Sequence, residues 1–63
     1  MTKLVITFTD ANDYNNRITK YDDAAQTHFG GNYATKAVKK PSEHKFEMDF
    51  NNMQDVMEYI KKV

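Results

Sequence analysis

The sequence predicts a small α+β domain whose elements follow the order strand, helix, strand, strand, helix. The clearest evidence lies in residues 44–63, where polar and apolar side chains alternate from His44 to Phe50 and apolar side chains then recur at helical spacing. A second strand-to-helix unit begins at Lys3, near the start of the chain. Between the two units, Pro41 marks a turn. We expect the 63 residues to form one domain, 1–63, because they are too few to include an independent second module.

The first strand is predicted over Lys3–Thr9, because every second side chain there is strongly apolar. The face expected to point into the core carries Leu4, Ile6 and Phe8. Val5 and Thr7 then lie on the opposite face, where Val5 is an exception to the alternation of apolar and polar side chains.

The first helix is predicted to begin after Asp10 and to end at Gly30-Gly31. Asp10 is a suitable N-cap, and Asp13 adds negative charge at the positive end of the helix dipole. The predicted core-facing stripe then repeats at three- and four-residue steps for about five turns, through Ala11, Tyr14, Ile18, Tyr21, Ala25 and His28 or Phe29. Gly30-Gly31 supplies the left-handed residue that such a helix end needs. We expect His28, near this end, to face water.

The second and third strands are predicted to form a hairpin around Pro41-Ser42-Glu43. Residues 32–40 contain β-forming residues but no strongly apolar face, which is typical of an edge strand. In the third strand, the side chains expected to face the helices are Phe46, Met48 and Phe50, and those expected to face outward are Lys45, Glu47 and Asp49. The last helix is capped by Asn51 or Asn52. Its predicted core stripe is Met53, Val56, Met57, Ile60 and Val63.

This order of elements resembles a ferredoxin-like fold that lacks its last strand. The resemblance implies a three-stranded antiparallel sheet with the first and third strands adjacent and both helices on one face. In the complete ferredoxin-like fold, the last strand pairs with the outer side of the first strand. Without that last strand, this side of the first strand is unpaired. An exposed sheet edge of this kind favours dimerisation or the addition of a strand from a partner.

Composition argues against several classes of partner and site. Nine basic and nine acidic side chains give zero formal charge, which argues against bulk electrostatic attraction to nucleic acid or anionic lipid. The chain has no cysteine and therefore no disulfide or thiolate site. It shows no signal-peptide pattern, and its longest apolar run, Leu4-Val5-Ile6, is too short to span a bilayer. We expect a soluble cytoplasmic protein, in the host cytoplasm if it is encoded by a phage, with no membrane partner.

The residues predict no enzyme, no cofactor and no metal site. Ser42 and His44 stand two apart in a turn, without a third group to orient the imidazole. His28 and His44 lack metal-ligand spacing, and Asp22-Asp23 is expected to be solvated. The glycine pair follows a helix rather than preceding one, so it does not form a phosphate-binding loop.

Nucleic-acid binding is the alternative function. The predicted outward face of the third strand carries two carboxylates and no aromatic side chain, which does not suit an RNA-binding sheet. A lysine-rich hairpin remains, with candidate phosphate contacts at Lys36, Lys39, Lys40 and Lys45. Residues 23–39 also loosely resemble a helix-turn-helix, which would imply a small repressor of the Cro type. That resemblance is poor, because Lys36 and Lys39 occupy positions where the second helix needs apolar residues.

The preferred hypothesis is a non-enzymatic protein-binding module that acts by occupying a surface of another protein, with a homodimer as a further expectation. Its partner-binding residues are predicted at the free side of the first strand and outside the predicted core: Val5, Thr7, Tyr33 and Tyr59. Tyr59 lies just off the apolar stripe of the last helix, so partial burial at the edge of that stripe is an equal alternative. In size and composition the chain resembles small accessory proteins of phages and mobile elements, including inhibitors of host enzymes and anti-CRISPR proteins. The resemblance implies inhibition by binding and indicates no particular target.

Overall fold

The computed structural model describes residues 2–63, and its elements follow the predicted order with one additional helical turn. They are β1 (Thr2–Thr7), α1 (Ala11–Phe29), α2 (Tyr33–Lys36), β2 (Ala37–Lys40), β3 (Lys45–Phe50) and α3 (Met53–Lys62). Short 3₁₀ turns at Gly30–Asn32 and Pro41–Glu43 connect α1 to α2 and β2 to β3. The predicted α+β class is therefore confirmed.

The three strands form one antiparallel sheet in the order β1-β3-β2. Leu4 pairs with Met48 and Ile6 with Phe46, while Ala37 pairs with Met48 from the other side. The adjacency of the first and third strands and the hairpin of the second and third strands are both confirmed. β1 and β2 are the two edges of this sheet.

The core lies between one face of the sheet and the two long helices. β3 contributes its centre, because Phe46, Met48 and Phe50 are almost completely buried, as the alternation predicts. The other buried side chains are Phe8, Tyr14, Ala24, Ala25, Val56 and Tyr59. α3 packs on β1 and β3. α1 lies towards the β2 side of the sheet, where its Asp22 carboxylate is 3.5 Å from the Lys39 ammonium of β2.

Both long helices begin at the predicted caps. Asp10 accepts a hydrogen bond from the backbone N–H of Asp13, and Asn52 accepts one from the N–H of Asp55. Each side chain thereby satisfies a donor that the first helical turn leaves free. At the other end of α1, Gly30 has a φ of 57°, a conformation that glycine adopts without the steric cost of a β-carbon.

The prediction of one strand over residues 32–40 is wrong for the first part of that segment. Tyr33–Lys36 forms a helical turn, and only Ala37–Lys40 is a strand. The turn stays against α1 because the Tyr33 hydroxyl donates a hydrogen bond to the Asp22 carboxylate. The helix-turn-helix interpretation is wrong as well, since α2 has four residues and leads directly into β2.

The predicted core stripe of α3 is wrong for three of its five side chains. Val56 is buried and Val63 packs against the core, but the structure exposes Met53, Met57 and Ile60. Tyr59, which we expected either outside the core or partly buried at the edge of the stripe, is fully buried. At about 100° per residue, the apolar side chains of α3 cover an arc of roughly 160° that is wider than the sheet face beneath them. The helix is rotated so that the aromatic ring takes the core position.

Candidate functional site

The largest exposed apolar feature of α3 is a row of three side chains on one side of the helix. Met53 is 62% exposed, Met57 58% and Ile60 49%. Spacings of four and three residues place them on consecutive turns of the same side. We call these three residues the α3 flank. Single exposed apolar side chains are common, whereas a contiguous row is typical of an interaction site.

The opposite side of α3 is occupied by α1. The Asp55 carboxylate lies 2.9 Å from Nε2 of His28, and the Lys62 ammonium lies 2.9 Å from its Nδ1. Asp55 and Lys62 are about 150° around the helix axis from Met57. α1 lies towards the β2 side of the sheet and occupies the opposite side of α3. The α3 flank therefore faces the sheet edge that is formed by β1.

Three residues of β1 direct their backbone groups away from the sheet. The N–H of Phe8 donates to the carbonyl of His44 at 2.8 Å, which continues the register of β1 with β3. In an antiparallel pair such bonds recur at every second residue, so the even-numbered residues of β1 face β3. The N–H and C=O groups of Lys3, Val5 and Thr7 therefore face outward. We call these outward backbone groups the β1 edge.

The β1 edge and the α3 flank border one surface. On the helix side of the sheet, Leu4 and Ile6 are only partly buried although they pack against the core. They lie on the strand that α3 covers, at the border of the sheet. A strand added at the β1 edge would extend the sheet below the α3 flank and complete the burial of these apolar side chains.

The four predicted partner-binding residues do not lie together. Val5 and Thr7 are exposed and belong to the β1 edge, with their side chains on the open face of the sheet. Tyr33 is half-buried against α1 through Asp22. Tyr59 is 0% exposed, and its hydroxyl donates to the backbone carbonyl of Tyr21 at 2.8 Å. Burial raises the pKa of the Tyr59 hydroxyl above its ordinary value.

Three of the four candidate phosphate-binding lysines have carboxylate partners. The shortest of these ion pairs joins Lys40 and Glu47 at 2.8 Å. The other two join Lys39 to Asp22 and Lys45 to Glu43. The Lys40 hydrogen bond lowers the pKa of Glu47, and the same bond raises the pKa of Lys40. This pairing matters because Lys40 stands directly opposite Lys45 in the hairpin. These three lysines thus pair with Asp22, Glu43 and Glu47 of the same chain.

Lys36, the fourth lysine, borders a polar cleft of about 390 Å³ between the end of α1 and α3. The side chain of His28 lies at this cleft and is only 7% exposed, so the expectation that it faces water is wrong. A lysine ammonium can only donate, so Lys62 donates to Nδ1 and the Nε2–H of His28 donates to Asp55. Both ring nitrogens are occupied, and His28 serves to connect α1 with α3.

Within residues 2–63 there is no group of three histidine or acidic side chains placed to hold a metal ion. In the same range, no helix is both long and apolar enough to cross a membrane.

Comparisons with protein-family models, with curated proteins and with solved structures gave no match.

Proposed function

We propose that this chain is a non-enzymatic protein-binding module whose docking surface consists of the β1 edge and the α3 flank. The observation that carries the proposal is the exposure of Met53, Met57 and Ile60 beside a sheet edge with free backbone groups. A protein strand suits this surface because its main chain pairs with the β1 edge, while alternate side chains contact the helix side.

The apolar contribution to such binding is substantial for a small surface. Complete burial of a methionine or isoleucine side chain contributes about 1.5–3 kcal/mol. The three side chains of the α3 flank are about half exposed, so their further burial contributes roughly 2–5 kcal/mol before the costs of association. The ladder of backbone hydrogen bonds fixes the orientation of the partner.

Binding alone is sufficient for an inhibitor, which is the activity that the resemblance to small phage accessory proteins implies. A module that covers a surface of its target needs no nucleophile, acid or base. In this chain His28, the histidine at the polar cleft, has hydrogen-bond partners at both ring nitrogens. We therefore propose occupation of a partner surface as the mode of action.

The test is affinity capture from an extract of the source cells. The chain contains no cysteine, so an Asn16→Cys variant allows attachment to a resin through the exposed side of α1, away from the docking surface. Mass spectrometry identifies the bound proteins, including endogenous copies of this chain. The affinity of each identified partner is then measured in solution with purified protein.

Met57→Lys places a charge on the α3 flank, and Thr19→Lys is the matched control on exposed α1. We expect Met57→Lys to weaken binding by about tenfold or more, since a buried ammonium without a partner is costly. Thr19→Lys should bind as the original chain does. Equal binding of the partner by the original chain, Met57→Lys and Thr19→Lys would contradict the proposal. Capture of no specific protein from the extract would contradict it as well.

A further inference from the structure

We infer that the protein bound at this docking surface is a second copy of the same chain. The inference rests on the proposed function, because it names the partner of the same surface. In the dimer, two β1 strands pair antiparallel around a twofold axis perpendicular to the sheet. The two three-stranded sheets become one continuous sheet, with both α3 helices on the same side of it.

The chemistry of β1 fits pairing with itself. Centring the pair on Val5 sets Val5 opposite Val5 of the second copy and Lys3 opposite Thr7 of the second copy. Each of these residues belongs to the β1 edge, so every such pair exchanges two backbone hydrogen bonds. A register centred on Lys3 would place two ammonium groups directly opposite each other, which is unfavourable. On the helix side, the Val5-centred register sets Leu4 opposite Ile6 of the second copy.

The position of α3 gives the two helices a normal packing distance. α3 rests on β1 and β3, so its axis lies about half a strand spacing inside β1. With strands about 4.8 Å apart, the twofold axis then separates the two α3 axes by about 10 Å. Helices that pack directly against each other have axes about 8–10 Å apart. The α3 flanks of the two copies therefore meet above the β1 pair.

The helix dipole of α3 favours the same arrangement. α3 runs roughly parallel to β1, because each is antiparallel to β3, and the twofold axis makes the two helices antiparallel. Asp55 and Lys62 contact His28 of α1 on the other side of α3, so the helix dipoles supply the electrostatic attraction between the two helices. Antiparallel packing aligns these dipoles favourably, because the positive end of one helix lies beside the negative end of the other.

The size and charge of the chain are consistent with association. An interface of standard size removes about 800 Å² from each partner. The chain exposes 4125 Å² in total, so about a fifth of that surface would suffice. The formal charge is zero, so long-range repulsion between two copies is weak.

Sedimentation analysis over a concentration series tests the inference. We expect a reversible species of twice the 7.4 kDa chain mass at high concentration. Val5→Pro removes an N–H of the β1 edge, leaves the bonds of β1 to β3 in place and should weaken the dimer by about tenfold or more. Met57→Lys should do the same and Thr19→Lys should not, while circular dichroism checks that each variant is folded.

Chemical cross-linking tests the register. With a short bis-maleimide, Val5→Cys should give a covalent dimer and Asn16→Cys should not, since Asn16 lies on exposed α1. Equal cross-linking of both variants would overturn the inference, and so would a dimer that survives both Val5→Pro and Met57→Lys. A chain that stays monomeric at millimolar concentration, yet captures another protein in a Met57-dependent way, overturns this inference and leaves the proposed function standing.

Discussion

The hydroxyl of Tyr59 donates a hydrogen bond to the backbone carbonyl of Tyr21 at 2.8 Å. This bond ties the middle of α3 to the middle of α1 and places the aromatic ring in the core beside Phe50. It thereby fixes the rotation of α3 about its axis. Because Tyr59 faces inward, Met57 and the rest of the α3 flank face outward on the side of β1.

The rotation of α3 predicts which of its side chains stabilise the single chain. In a Val5→Pro background, where association is suppressed, Tyr59→Phe should lower the free energy of unfolding by about 1 kcal/mol through loss of one hydrogen bond. Met57→Ala should change it by less than about 0.5 kcal/mol, because that side chain is exposed. Urea denaturation measures both values. The opposite ranking would mean that Met57 is the core residue.

The contact of His28 with two residues of α3 predicts a second stability effect. His28→Ala removes the bonds to Asp55 and Lys62 and leaves a void beside Phe50 and Tyr59. We expect a loss of about 2–3 kcal/mol in the free energy of unfolding. Thr27→Ala, at an exposed neighbouring position, is the control and should be nearly neutral. Equal effects of the two substitutions would show that His28 does not connect the helices.

The sequence predicts the fold well where the spacing of apolar side chains is compatible with only one orientation of an element. In β3, alternation assigns Phe46 and Phe50 to the core, and at both long helices the Asx caps mark the first turn correctly. The order β1-β3-β2 follows from the arrangement of elements rather than from any single residue.

The proposed docking surface could be predicted from the sequence only in part, because α3 is apolar over a wider arc than the sheet covers. Helical spacing alone does not determine whether Met57 or Tyr59 faces inward. That choice depends on a distant acceptor, the Tyr21 carbonyl, and on Asp55 meeting His28. In the sequence, the exposed row of the α3 flank was indicated by the width of the apolar arc of α3, which exceeds the width of the sheet face beneath the helix. Val5 and Thr7 were predicted to lie at an exposed sheet edge because an absent fourth strand leaves β1 at the border of the sheet, and the structure places both residues there.

The ion pairs of Glu47 predict a dependence of stability on pH. The hydrogen bond from Lys40 lowers the pKa of Glu47 below its ordinary value of 4.5, and Lys3 contributes further. The unfolded chain therefore binds a proton at Glu47 more readily than the folded chain does. The stabilisation of the folded chain by the Glu47 ion pairs is present above about pH 4.5 and is lost as the pH falls through the lowered pKa. Urea midpoints between pH 7 and pH 2.5 measure this loss. Glu47→Gln should make the dependence shallower, and exposed Glu58→Gln should do so less; identical curves for the two variants would contradict this account.

The paired lysines predict weak binding to nucleic acid. Lys39, Lys40 and Lys45 each have an acidic partner, so few phosphate contacts would replace bound counterions. Fluorescence anisotropy with duplex DNA and with single strands should show at most weak binding at low ionic strength, and that binding should change little as the salt concentration is raised. A steep dependence on salt that disappears in a Lys39→Glu, Lys40→Glu variant would favour the hairpin as a phosphate-binding site instead.

Amide hydrogen exchange along β1 tests the central claim most directly, because neighbouring residues report on opposite sides of the strand. The N–H groups of Leu4, Ile6 and Phe8 face β3 and should exchange slowly at every concentration. Val5 and Thr7 should exchange rapidly in dilute solution and become protected as the concentration rises, in step with dimer formation. Rapid exchange of Val5 and Thr7 at concentrations where the chain is dimeric would contradict the β1 edge as the site of association.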